Sequence, residues 1–129
     1  MASESTELAP LLDGTDAEGD CFEVAGRLVR KHRDWVLCHG IVHGQGKLEG
    51  YRFWHAWCEC RLEGTDVWIA VDRSNGHNVE TLAVTYYRVG KIDPDQVYRF
   101  SADDAAILML QLGNWGPWDI NEEVSDGAA

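Results

Sequence analysis

The sequence predicts an α+β domain in which a helix carrying a cysteine packs on an antiparallel sheet. Ala25, Leu28 and Val29 recur at the three-to-four spacing of a packed helix face. The β-rich runs Phe53 to Leu62 and Val67 to Asp72 flank the turn Glu63-Gly64-Thr65-Asp66 and read as a hairpin. Ala102 to Leu112 is strongly helix-forming.

The elements follow in order. The segment to about Gly19 is small, acidic and broken by Pro10 and Gly14, so a mobile lead-in is expected. A helix then starts at Asp20, whose side chain suits the N-cap, and Arg27, Arg30, Lys31 and Arg33 gather toward its end, where positive charge suits the helix dipole. Cys21 falls in its first turn. Trp35 to His43 is rich in β-branched and aromatic residues and reads as a strand. It runs into Gly44-Gln-Gly46, which lacks both the full dinucleotide fingerprint and a phosphate-loop Lys and reads as a loop.

After the hairpin, Arg73-Ser-Asn-Gly76 is a turn by composition. Residues 79–90 satisfy neither the helical nor the strand period, leaving both open, and Tyr86-Tyr87 is ambiguous. Ser101 with Asp104 three residues on resembles a capping box with Asp in place of Glu, and Gly113 ends the helix. Asn114-Trp-Gly-Pro-Trp118 is expected to be a rigid turn whose two indoles fold back on the domain. No internal repeat is visible.

The chain of 129 residues fits one domain, with a formal net charge of −11. Residues 1–20 hold six acids and no base, residues 119–129 four acids and no base, leaving 12 acids against 11 bases between 21 and 118. The expected organisation is therefore an acidic flexible segment (1–18), a folded domain (19–118) and an acidic flexible tail (119–129). A nucleic-acid partner is excluded for want of a cationic surface. No apolar run approaches the roughly 18 residues of a membrane span, and the start lacks the basic and apolar stretches of an export signal. The expectation is a cytoplasmic protein with four thiols rather than two disulfides.

A cysteine opening a helix sits among unpaired amides that stabilise its thiolate, the nucleophilic form, but it needs a base and a group to orient that base. The hairpin supplies both. If Leu62 faces Val67 across the turn, paired residue numbers sum to 129 and Asp72 lies opposite Trp57. His55 shares that face because strand side chains alternate, so His55 and Asp72 are diagonal neighbours at roughly 7–8 Å, close enough for their side chains to meet. Whether the Cys21 helix packs on the same face cannot be read from periodicity.

Gly19-Asp-Cys-Phe-Glu-Val-Ala25, His55-Ala-Trp-Cys-Glu59 and Trp68-Ile-Ala-Val-Asp72, in this order and spaced by 34 and then 17 residues from Cys21 to His55 to Asp72, resemble the transglutaminase-like superfamily of cysteine hydrolases. The resemblance covers about residues 19–76 and departs where Arg73 replaces the usual Pro. It implies a papain-like α+β core, as in small bacterial and bacteriophage members. It also implies Cys21 as nucleophile, His55 as general acid and base, Asp72 as the residue orienting the imidazole, and the Cys21 amide as one oxyanion donor. The implied chemistry is amide hydrolysis of a protein or peptide through a thioester, without a cofactor. A protein deamidase or an amine-accepting cross-linker would use the same intermediate. The rival class is an inactive interaction module on the same scaffold.

Other candidates carry less chemistry. Cys58 and Cys60 alternate with Trp54, Ala56 and Leu62 on the face away from His55 and read as core. A zinc site completed by Cys38 and His39 or His43 would use the unfavourable Cys-x-Cys spacing, so no metal is expected. His39 and His43 share a face with Leu37 and Ile41 as partly buried strand histidines. His32 is expected to be solvated. Trp57 is a candidate wall of the site, and His77 and Asn75 are rim candidates, Asn75 being the substitute orienting residue if the register differs.

Overall fold

The periodicity after Asp20 becomes helix α1 (Cys21–Lys31), with Ala25, Gly26 and Val29 turned inward. The structure is a computed structural model that describes residues 20–118 in full and residues 11–12 by their backbone. The expected acidic segments 1–18 and 119–129 otherwise lie outside the described residues. Leu11–Leu12 form a short strand, β1, so this part of the expected lead-in is tied to the sheet.

Strand β2 (Val36–His43) is followed by a 3₁₀ turn at Gly46–Leu48, which starts at the last residue of the expected loop. Strands β3 (Arg52–Arg61) and β4 (Trp68–Asp72) form the hairpin. Cys58 faces Val71 and Arg61 faces Trp68, the register derived from the turn. Residues 79–90 turn out to be both candidates in succession, strand β5 (Val79–Leu82) running directly into helix α2 (Ala83–Gly90). Strand β6 (Tyr98–Ser101), which the sequence pattern did not announce, precedes α3 (Ala102–Leu112). The Ser101 hydroxyl accepts from the Asp104 amide at 3.1 Å and Gly113 closes the helix with φ 74°, as expected.

Five strands form an antiparallel sheet in the order β5-β4-β3-β2-β6, and β1 pairs parallel with the start of β3 at Arg52 and Phe53. Both faces are covered. Ala25 and Val29 of α1 and Ala102 and Ala105 of α3 pack against Leu37, Ala56, Cys58 and Phe100 on one face. On the other, Trp57, Cys38, Val42 and Ala70 pack with Ile92 and the α2 residues Tyr86 and Tyr87.

Period-two alternation therefore divides β3 between two cores. The Cys58 thiol donates to the Ala25 carbonyl at 3.2 Å and ties β3 to α1, while Trp57 points the opposite way. The Trp57 ring passes over Gly40 on β2, where a Cβ would come within 3.1 Å of the indole. Both tryptophans of the 114–118 turn fold back as expected: Trp118 joins the core, and Trp115 lies over Gly26 with the Arg27 guanidinium 5.0 Å from its ring centre.

Candidate active site

The body of α1 covers the sheet face opposite His55, and only its first turn reaches the histidine. The β3–β4 ladder stops at Cys58–Val71, while β1 pairs only with Arg52 and Phe53. On this side β3 thus has no strand partner from Trp54 to Trp57 among the described residues. There Cys21, at the N-terminus of α1, comes near enough to the His55 ring to act on its charge, and both side chains line one cleft.

Asp72 holds the other side of the ring. Its Oδ2 accepts from His55 Nε2 at 2.8 Å and from the Tyr86 hydroxyl at 2.6 Å; its Oδ1 accepts from the Ser74 amide at 3.0 Å and hydroxyl at 2.7 Å. Burial alone would raise the Asp72 pKa. The hydrogen bond and charge of His55, followed by the bonds from Tyr86 and Ser74, outweigh it and hold the group as a carboxylate well below the usual range.

For His55 burial works toward the neutral form. It is overcome first by the hydrogen bond to Asp72, then by the hydrogen bond and charge of Cys21 and the charge of Asp72, which raise the imidazole to about 9. The ring is therefore an imidazolium at neutral pH, the partner that a thiolate requires. Burial, reinforced by the charges of Cys60, Asp72 and Glu59, pushes Cys58 up to about 12. Burial and the Glu59 charge push Cys38 well above its ordinary value, and burial with the charges of Asp34 and Glu80 raises Cys60.

Asp20 departs from its expected role. It occupies the N-cap, but its side chain caps no amide of α1; Oδ1 instead accepts from the Asn75 backbone amide at 2.8 Å. This bond ties the start of α1 to the 3₁₀ turn Ser74–Gly76 that continues from β4. It thereby links the elements carrying Cys21 and Asp72. The first amides of α1, including that of Cys21, have no acceptor within the helix.

Cys21, His55 and Asp72 line one cleft of about 620 Å³. Asn75 and His77 line the same cleft, and the imidazole is held by Asp72 rather than by Asn75. Trp57 is corrected: it is fully buried beneath the site rather than a wall of it, stacked on the His55 ring at 6.3 Å between centroids, with its indole N–H donating to Glu59 at 2.9 Å. Its place opposite Asp72 lies under α2, which roofs that face. His43 lines the cleft with its pKa lowered by burial and by the charges of Lys91 and Arg52.

His39 is a core residue among Phe22, Phe100 and Trp118, and burial lowers it to about 3. His32, expected to be solvated, is half-buried and stacks on Trp35 at 4.0 Å. Tyr86 and Ser74 are positioning residues that sequence reasoning missed. Asp72-x-Ser74 has the spacing of an Asx turn, a signal that was available. The Tyr86 contact had none, because residues 79–90 could not be assigned to one element.

Among the described residues, no group of three His, Cys, Asp or Glu side chains is placed to hold a metal ion, and no helix is long and apolar enough to cross a membrane. No family model, curated protein or solved structure matches the chain.

Proposed function

We propose that this protein is a cysteine-dependent amide hydrolase of the transglutaminase-like, papain-like type, acting through Cys21, His55 and Asp72. The observation that carries the proposal is the arrangement about one ring: His55 is bonded by Asp72 through Nε2 and meets Cys21, at a cleft wide enough for a substrate.

The Cys21 sulfur attacks the amide carbonyl carbon, forming a C–S bond and an oxyanion beside the Cys21 amide at the start of α1. His55 gives its proton to the leaving nitrogen as the C–N bond breaks, leaving a thioester and a neutral imidazole. Water then attacks the thioester as His55 takes its proton. The C–S bond breaks, the carboxylic acid leaves, and Cys21 and protonated His55 are restored. Asp72 keeps one face of the imidazole toward Cys21 throughout and stabilises its charged form. Every proton moves between substrate, water and His55.

Intact-mass measurement with peptide p-nitroanilides tests this directly. The expected result is a transient gain of the acyl mass on Cys21 together with nitroaniline release, both lost in Cys21→Ala. Nitroaniline release by Cys21→Ala at the wild-type rate would overturn the proposal.

A further inference from the structure

The charges lining the cleft identify the substrate it fits. Among the described residues no Lys, Arg or Glu lines it, and the one carboxylate there, Asp72, is already engaged by His55, Tyr86 and Ser74. His55 is the cation of the reacting group, and burial with neighbouring positive charge holds His43 toward its neutral form. A charged substrate side chain would therefore leave water without a counter-charge waiting for it.

The apolar part of the lining, set among uncharged polar groups such as Gln45, Thr81 and Thr85, points the same way. Buried Val42 and Ile92 form a floor, Phe22 follows Cys21 in the chain, the Phe53 ring stands 5.9 Å from that of His55, and Leu48 and Val89 belong to more exposed parts of the wall. The volume of about 620 Å³ lies within the roughly 300–1,000 Å³ of small-ligand pockets, which favours a short acyl compound over a long folded chain.

We infer that the cleft binds a short, uncharged peptide amide whose acyl side carries aliphatic or aromatic residues. The identification of this peptide as substrate rests on the hydrolase proposed above, whereas its binding does not require turnover. Val89, 53% exposed on α2, is the position at which the preference can be changed without cutting into the core.

The test is an NMR titration of Cys21→Ala with N-acetyl-dileucine amide, N-acetyl-diglutamate amide and N-acetyl-dilysine amide, followed through the signals of Phe53 and Ile92. The dileucine amide is expected to bind at least tenfold more tightly than either charged peptide. Val89→Lys should raise the relative affinity for the diglutamate amide at least threefold. Equal or tighter binding of a charged peptide, or no binding of the dileucine amide, would overturn the inference. Iodoacetamide labelling of Cys21 in the wild-type protein, run in parallel, separates the failures. Reactive Cys21 with no apolar preference sinks the substrate class alone; an inert Cys21 beside a strong apolar preference sinks the hydrolase and leaves an apolar-peptide binding site.

Discussion

Asp72 and Glu59 lie on the same sheet face, largely sheltered from water, and each is held by hydrogen bonds that include one of two consecutive tyrosines on α2. Tyr86 donates to Asp72 at 2.6 Å and Tyr87 to Glu59 at 2.7 Å. Their cationic partners separate them. Glu59, 2% exposed, accepts from Trp57 at 2.9 Å and from Arg99 at 2.6 Å, a guanidinium that stays charged and runs out over Trp68 on the surface. Asp72 faces His55, whose charge can be given up and which touches a thiol in a cleft. A buried carboxylate fastened to arginine closes a structure, whereas one fastened to a histidine beside a cysteine sets up proton transfer.

Removing each carboxylate should have opposite consequences. Asp72→Asn is expected to lower peptide anilide turnover about 10³–10⁴-fold, because the imidazole loses the charge that orients it and stabilises its protonated form. Thermal unfolding followed alongside should shift far less. Glu59→Ala should lower stability by about 3–5 kcal/mol in urea unfolding, since buried Trp57 and half-buried Tyr87 lose the acceptor of their donors and Arg99 loses its partner. The Cys21 alkylation rate of the fraction still folded should stay near wild type. A large loss of alkylation in folded Glu59→Ala would merge the two networks into one.

The pH response sharpens the distinction. The folded His55 pKa of about 9 lies above the ordinary 6.5, so the stability from its bond to Asp72 and its interaction with Cys21 is fully present below about 6.5 and lost as pH rises through 9. In wild type the His55 ring signals should titrate near pH 9. In Asp72→Asn the midpoint should fall by at least one unit, because burial then acts with less opposition. Arg99 gives the Glu59 network no such transition in this range.

The smallest effects separate the tyrosines. Tyr86→Phe removes one of the donors to Asp72 and should lower kcat a few-fold, with a measurable change in the His55 titration midpoint. Tyr87→Phe should leave that midpoint in place and cost about 1–3 kcal/mol of stability. The same midpoint in wild type and Tyr86→Phe would reduce Tyr86 to a packing residue.

The His55–Asp72 relation was legible because the Glu63–Asp66 turn and the alternation of β3 and β4 leave one simple register, and a slip of one residue would separate the pair. The face chosen by α1 was not, because β3 is apolar on both sides: Ala56 and Cys58 serve one core, Phe53 and Trp57 the other. That ambiguity also explains why Trp57 reads as a wall when it is a buried support. Strand β6 was hidden because it is four residues long and carries Arg99, a charge explained only by Glu59 forty residues away in sequence. At Leu82–Ala83 strand passes into helix without a loop, so no periodicity announces the change. The bond from Asp20 to the Asn75 amide joins residues 55 apart and offers no local pattern to read.

The proposed chemistry requires that His55 and Asp72 make Cys21 a nucleophile. Cys60 is a control within the same molecule, since it is half-buried like Cys21 and has no histidine partner among the described contacts. The deciding measurement is site-resolved iodoacetamide alkylation at pH 7, read by peptide mass spectrometry. Cys21 is expected to react at least tenfold faster than Cys60, and His55→Ala to remove the difference. Equal rates at the two thiols in the wild-type protein, or a Cys21 rate unchanged by His55→Ala, would contradict the proposed chemistry.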